Sequence, residues 1–289
     1  MPELPEVQTT ASGLNRVLPG LIIIDAWTEY NSKYFHGSDT IKDPVYFKYF
    51  KKTIKNSKIL NVTRRAKNIL INLSNNHTIL IHMKMTGHVM YGDYNRKDPY
   101  NRFIRFILYL SNGKTMELCD TRKFAKVTLL KTDEMHKTNH LKGIGPEPLE
   151  RAFTFEVFLN QINRKPNGKI KSVLLNQEII AGIGNIYGDE SLWRAGIHPE
   201  QSVEKIKLDK LKELYKAIKQ TLAKGVDFGG DSMSDYRNID GEKGKFQEQH
   251  RAYRRTGEKC SKKNCNGIIR RIVVAGRSSH YCDRHQIKA

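Results

Sequence analysis

Three short stretches of this chain hold residue types whose spacing supports chemistry. Near the C-terminus, Cys260-x4-Cys265 and Cys282-x2-His285 are separated by sixteen residues. Two pairs of soft donors around a strand-length spacer suit a tetrahedral Cys3His zinc site. The surrounding unit has little core of its own, so a metal would supply much of its folding free energy. The spacer IIRRIVVAGRSSHY alternates β-formers with basic residues and reads as a hairpin. Arg277 then lies near its tip, beside Gly276, where a guanidinium can probe a nucleic acid.

The second stretch is LLNQEIIAGIGNIYGDESLWRAG, where Gly182 and Gly184 interrupt a helical pattern. Each glycine in a helix interior costs about 1 kcal/mol against alanine, so two in three residues predict a turn. The turn delivers Asn185 to the start of the next helix. There it either acts as a plain N-cap or, with the free N–H groups, holds a phosphate. Lys171, near the start of the preceding helix, adds positive charge to this region.

The third stretch is the N-terminus, MPELPE. Pro5 suits the first turn of a helix and Glu6 complements its positive end. Val7, Ala11, Leu14 and Leu18 follow at helical spacing. A helix therefore accounts for Pro5 and Glu6 and leaves Pro2 and Glu3 without a role.

Fifty Lys and Arg against thirty Asp and Glu give a net charge of +20 over 289 residues. An excess of this size points to a polyanionic partner, with nucleic acid first. No apolar run reaches the roughly 20 residues of a membrane span, and the N-terminus does not read as a signal peptide. Three of the four cysteines cluster in the last 30 residues. This favours metal binding over a disulfide framework, and an intracellular, reducing compartment.

Around these stretches the chain reads as α+β, in two domains. Residues 1–135 carry the first helix, then mostly strands: segments such as RRAKNILINL and FIRFILYL are separated by polar turns, suggesting a β-sandwich or barrel. Residues 136–151, with two prolines and two glycines in HKTNHLKGIGPEPLE, form a linker. Residues 152–245 are helical and end in FGGDSMSDYRNIDGEKGKF, a long polar loop that is functional or disordered. Residues 246–289 form the small β-like unit with the cysteines.

MPELPEV, RRAKNIL, HMKMTG, DTRKF, GPEPL, NQEIIAGIGNIYGDE and the Cys-rich tail occur in this order across essentially the whole chain. Together they resemble the formamidopyrimidine-DNA glycosylase/endonuclease VIII family of base-excision repair enzymes. The resemblance implies an N-terminal two-sheet β-sandwich with an N-terminal helix. It also implies a C-terminal helix-two-turn-helix domain with a β-hairpin finger, and double-stranded DNA bearing oxidised bases or abasic sites in the cleft between the lobes of a monomer. Pro2 matches the nucleophile once Met1 is removed, Glu3 the catalytic carboxylate and Glu6 a supporting acid. Lys67 matches the hairpin lysine near the scissile phosphate. Met85, Arg122 and Phe124 match the residues that fill the gap left by an extruded nucleotide. Lys171, Asn185 and Arg277 match phosphate binders. The implied activity is bifunctional: glycosylase and abasic-site lyase, through a Schiff base on Pro2.

Two departures stand out. The family's finger usually has four cysteines with two residues inside each pair. Here the first pair is wider and His285 takes the fourth place, and since some members keep the finger without metal, a zincless finger is the alternative to Zn2+. Ala125 stands where the family often has Gly after RKF, from which a small backbone adjustment is expected. The loop after residue 227 resembles the one that closes over oxidised guanine, which tilts the expected substrates toward oxidised and ring-opened purines, with oxidised pyrimidines included. The rival reading is a non-enzymatic damaged-DNA-binding zinc-finger protein, which would need neither Pro2 nor Glu3.

Overall fold

A computed structural model describes residues 1–30, 32–94 and 99–288. The chain forms two compact units: Met1–Lys142 with Gly229–Lys245, and Gly143–Phe228 with Phe246–Ala289.

The first unit opens with helix α1 (Leu4–Val17), whose Val7, Ala11 and Leu14 enter the core as their spacing requires. Strands β1 (Ile23–Thr28), β6 (Ile104–Leu110), β7 (Thr115–Cys119) and β5 (His88–Gly92) pair antiparallel in that order. Strands β2 (Ile59–Arg65), β3 (Asn68–Leu73), β4 (His77–His82) and β8 (Lys126–Lys131) form a second antiparallel sheet. Phe106, Leu108 and Leu118 from the first sheet share one core with Ile69, Ile71 and Ile81 from the second. This is the expected sandwich. One element was not expected: helix α2 (Pro44–Ile54) lies within the region read as strands. Asp43 caps it by accepting the Val45 N–H at 2.8 Å, and Pro44 occupies its first turn. The Asp-Pro pair was the available signal; the aromatic residues that follow masked it as β-former content.

The long loop departs from its expected place. Residues 229–245 were grouped with the helical domain, but the fold makes them part of the first unit. The reason is physical. Ile239 is 2% exposed in the sandwich core, and its carbonyl accepts the Tyr91 N–H at 2.8 Å. Tyr236 Oη donates to the Glu6 carbonyl at 3.0 Å, and Thr121 Oγ1 donates to Asp235 at 3.1 Å. The turn at Met233 and Ser234 and the charged residues Asp240, Glu242, Lys243 and Lys245 stay exposed.

The second unit holds α3 (Phe155–Ile162), α4 (Ile170–Leu175), α5 (Asn185–Ala195) and α6 (Leu208–Asp227), then the hairpin β9 (Ile269–Val274) and β10 (Arg277–Cys282). Ala275 and Gly276 form the hairpin turn with φ of 48° and 74°, the left-handed pair that two-residue hairpins favour. The finger does not stand apart as its own domain: Trp193 of α5 packs with Ala252, Cys260, Ile269 and Cys282.

Candidate functional site

In the first unit, Glu3 is the N-cap of α1 and forms a capping box with Glu6. The Glu3 side chain accepts the Glu6 N–H, and Glu6 Oε2 accepts the Glu3 N–H at 2.6 Å. Pro2, Glu3 and Glu6 are all buried. Glu6 also reaches the long loop: its Oε1 accepts the Asp231 N–H at 2.7 Å. Pro5 lies in the first turn as its ring predicts. Lys67 sits with Ala66, at φ 51°, in the two-residue turn between β2 and β3. Arg64 ties this hairpin to α1, donating to Gln8 Oε1 at 2.8 Å and to the Ala66 carbonyl at 3.0 Å. His82, on the neighbouring strand and paired with Asn68, is pushed down to about 3 by burial and by the charges of Lys84 and Lys67. It is therefore a neutral imidazole, and its Nδ1 accepts the Lys84 N–H at 3.0 Å.

Met85, Arg122 and Phe124 are brought together. Arg122 Nη1 contacts Met85 Sδ at 3.3 Å, and its guanidinium lies 4.7 Å from the centre of the Phe124 ring. Met85 and Phe124 are 42% and 48% exposed, so the three side chains present one cluster at the surface. Asp120, fully buried, holds both loops. Its carboxylate accepts from Thr86 Oγ1 and from the backbone N–H of Arg122 and Ala125. Gly87 has no room for a β-carbon against the Met83 carbonyl. Ala125 is buried in the sandwich core with its N–H on Asp120, so alanine is accommodated in place of glycine. The acidic residue of DTRKF was not singled out from sequence, although a buried Asp before a polar turn is a signal for such a role.

In the second unit, Gly182 at φ 82° makes the expected turn and Gly184 is the N-cap, so Asn185 is the first helical residue rather than the cap. Asn185 shares a cleft of about 470 Å3 with Tyr253, Arg254, Arg271, Arg277 and His280. Asn185 Oδ1 is buried with no hydrogen-bond partner. Arg277 is exposed at the hairpin turn as expected. Lys171 requires a correction. It is fully buried, pairs with Asp189 Oδ1 at 2.6 Å, and donates to the Asn185 carbonyl at 2.8 Å. Its ammonium is spent inside the unit and cannot take a phosphate directly. Tyr253, Arg254, Arg271 and His280 were not identified from sequence, because the residues that gather them lie inside α5. Glu190 accepts the backbone N–H groups of Arg251, Ala252 and Tyr253 at 2.8–3.0 Å, which fixes the segment leading into the finger.

The four tail residues converge. The ligand atoms of Cys260, Cys265, Cys282 and His285 all lie within 4.8 Å of one another. Cys260 Sγ and Cys265 Sγ are 3.5 and 3.6 Å from His285 Nδ1, and Cys265 and Cys282 sulfurs are 3.6 Å apart. These separations suit the edges of a small tetrahedron. His285 Nε2 lies 3.0 Å from the Trp193 carbonyl, which fixes the tautomer that leaves Nδ1 free for a metal. Burial pushes the Cys282 thiol up to about 11, so a thiolate there needs a cation to hold it. The donor set fits a metal ion.

Comparison with known proteins matches the chain to one family over nearly its whole length. Residues 1–127 match the model of the formamidopyrimidine-DNA glycosylase N-terminal domain, and residues 144–237 match that of its H2TH domain. A formamidopyrimidine-DNA glycosylase of Pelotomaculum thermopropionicum is 39% identical over 282 residues, covering 98% of each chain. That of Bacillus subtilis is 34% identical over 288 residues and the full length of both. The solved complex of Lactococcus lactis Fpg with DNA containing an abasic site superposes with a TM-score of 0.86 at 31% identity, covering 99% of this chain and 100% of the other. A mutant of the same protein, solved with DNA containing Fapy-dG, gives 0.87.

Proposed function

This chain belongs to the formamidopyrimidine-DNA glycosylase family and is a DNA glycosylase of base excision repair, and on that premise we propose that it is bifunctional, joining base removal to strand cleavage at one residue. Its substrate is double-stranded DNA bearing oxidised bases or abasic sites, and it works where DNA is held. The observation that carries this reading is the capping box that seats Glu3 and Glu6 immediately after Pro2.

Removal of Met1 frees the Pro2 nitrogen, an α-amine of which a useful fraction, unlike a lysine's, is neutral at pH 7. The nitrogen lone pair forms a bond to C1′ of the sugar and the base departs with its bonding electrons. Glu3 takes the proton from the attached nitrogen and passes it to the ring oxygen as the C1′–O4′ bond breaks, leaving an iminium ion, while the departed base takes a proton from water. A secondary amine gives an iminium with no N–H to lose, so the positive charge persists and acidifies C2′. Loss of the C2′ proton expels the 3′ phosphate, and a second elimination expels the 5′ phosphate. Lys67 stabilises phosphate charge at this step. The base must leave the stack to be reached, and the Met85, Arg122 and Phe124 cluster fills the vacancy.

The preferred lesions are oxidised and ring-opened purines, with oxidised pyrimidines accepted. The anchored loop, joined to Glu6 through Asp231, supports a reading of the base from the same unit that holds the nucleophile. The tail binds Zn2+ through Cys260, Cys265, Cys282 and His285, which holds the hairpin that presents Arg277.

The test is borohydride trapping of the protein lacking Met1 on duplex DNA with an oxidised guanine. A covalent adduct is expected, lost in Pro2→Gly. An adduct of normal yield with Pro2→Gly, or none with the wild-type chain, would overturn the mechanism.

A further inference from the structure

We propose that Asp189 is a positioning residue that fixes the separation between Asn185 and Arg277, the two cleft residues that reach the DNA phosphates. The inference rests on the reading of that cleft as a phosphate site.

Asp189 lies one turn after Asn185 on α5 and is fully buried. Every hydrogen bond to its carboxylate leads to a cleft element. On one side Oδ1 accepts from Lys171 Nζ at 2.6 Å, and the same ammonium donates to the Asn185 carbonyl at 2.8 Å. On the other side Oδ1 accepts from Ser279 Oγ at 2.6 Å, while Oδ2 accepts the His280 N–H at 2.9 Å and faces His280 Nδ1 at 3.1 Å. Ser279 and His280 follow Arg277 on the same strand. An unbroken polar chain thus runs from the first residue of α5 to the strand that carries Arg277.

The packing is shaped for this chain. A β-carbon on Gly188 would lie 3.3 Å from Lys171 Nζ and 2.9 Å from Leu175 Cδ1, so glycine is what lets the lysine pass. The His280 ring in turn packs edge-on with Tyr253, a third cleft residue, at 5.1 Å. A buried ion pair contributes little net stability compared with apolar packing of the same volume. Its use here is to hold two separate segments in one geometry. A guanidinium and an amide meet successive backbone oxygens only when their spacing is set.

The experiment measures dissociation constants of the full-length protein for a duplex with a tetrahydrofuran abasic analogue, across a salt series. The chains compared are wild type, Arg277→Ala, Asp189→Asn, His280→Phe, and the doubles that combine Arg277→Ala with each of the others. Arg277→Ala is expected to weaken binding and lower the salt slope by about 0.9, one phosphate contact. Asp189→Asn and His280→Phe, which remove no exposed charge, should each weaken binding roughly tenfold and lower the slope as well. In the Arg277→Ala background each should add less than about twofold, since the contact they position is already gone. Additive losses with an unchanged slope overturn the positioning role alone. An Arg277→Ala protein that binds like wild type overturns the phosphate reading of the cleft, and the proposal with it. Should Asp189→Asn fail to fold, His280→Phe, which leaves the Lys171 pair intact, carries the same test.

Discussion

Gly230 lies against Glu6: a β-carbon built there would sit 2.8 Å from Glu6 Cγ and 2.9 Å from Oε1. Gly230 also has φ of 84°, a conformation side chains rarely adopt. The loop approaches the helix N-terminus this closely only because the residue has no side chain. Gly230→Ala should therefore destabilise the protein by about 2 kcal/mol, from left-handed strain and steric displacement together. Urea denaturation would register this as a lower midpoint; an unchanged midpoint would show that the loop yields freely.

In the proposed mechanism Glu3 and Pro2 divide the chemistry between them. Glu3→Gln should suppress excision of an oxidised base far more than cleavage at a ready-made abasic site, whose sugar opens to the aldehyde without it. The comparison needs single-turnover rates on two duplexes. Equal losses on both would remove the proton-delivery role. A retained Met1 or an N-terminal tag, which turns the Pro2 nitrogen into an amide, should abolish both reactions.

The Arg122 guanidinium joins Met85 and Phe124 into one exposed cluster. Unstacking a base costs a few kcal/mol, and losing part of the filler should forfeit about 1–2 kcal/mol of that compensation. Arg122→Ala should then slow excision from duplex roughly tenfold. A fluorescent base opposite the lesion reports the same loss as slower extrusion.

Acid should weaken the first unit in part through His82. Its folded value of about 3 lies below the ordinary histidine value, so the unfolded chain binds the proton more readily. The stability it contributes is complete above about pH 6.5 and falls as the pH drops toward 3. Urea midpoints at pH 7 and pH 4.5 should differ less for His82→Gln than for wild type.

Elemental analysis should find one zinc ion per chain, and a chelator should remove it with loss of duplex affinity, because the hairpin bearing Arg277 shares its small core with Cys260 and Cys282. His285→Cys should retain the metal and His285→Ala should bind it weakly. Full affinity of the metal-free chain would favour the zincless finger.

The chemistry-bearing residues were the most legible part of the sequence. Asn185 after two glycines, Arg277 beside Gly276 and the four tail ligands all follow from local rules about turns and donor spacing, and the fold places them accordingly. What was hidden is the set of buried acids that orient them. Asp120, Asp189 and Glu190 act through partners distant in sequence, up to 91 residues away for Asp189, and no periodicity encodes such a contact. Lys171 was misjudged for the same reason: a basic residue near a phosphate site looks like a ligand until its carboxylate partner is known. The loop of residues 229–245 reads as functional or disordered because Ile239 and Tyr236 are isolated among polar residues, yet these two side chains fasten it.

Ile239 occupies the sandwich core and Asp231 meets Glu6, although both are encoded after the helices α3 to α6. During synthesis the sandwich strands leave the ribosome first and must wait, with a gap in their core, until some hundred further residues have followed. The first unit thus begins to fold before the second and cannot finish until residue 245 is made. A nascent or prematurely terminated chain carries Pro2, Glu3 and Glu6 but lacks the segment fastened to Glu6.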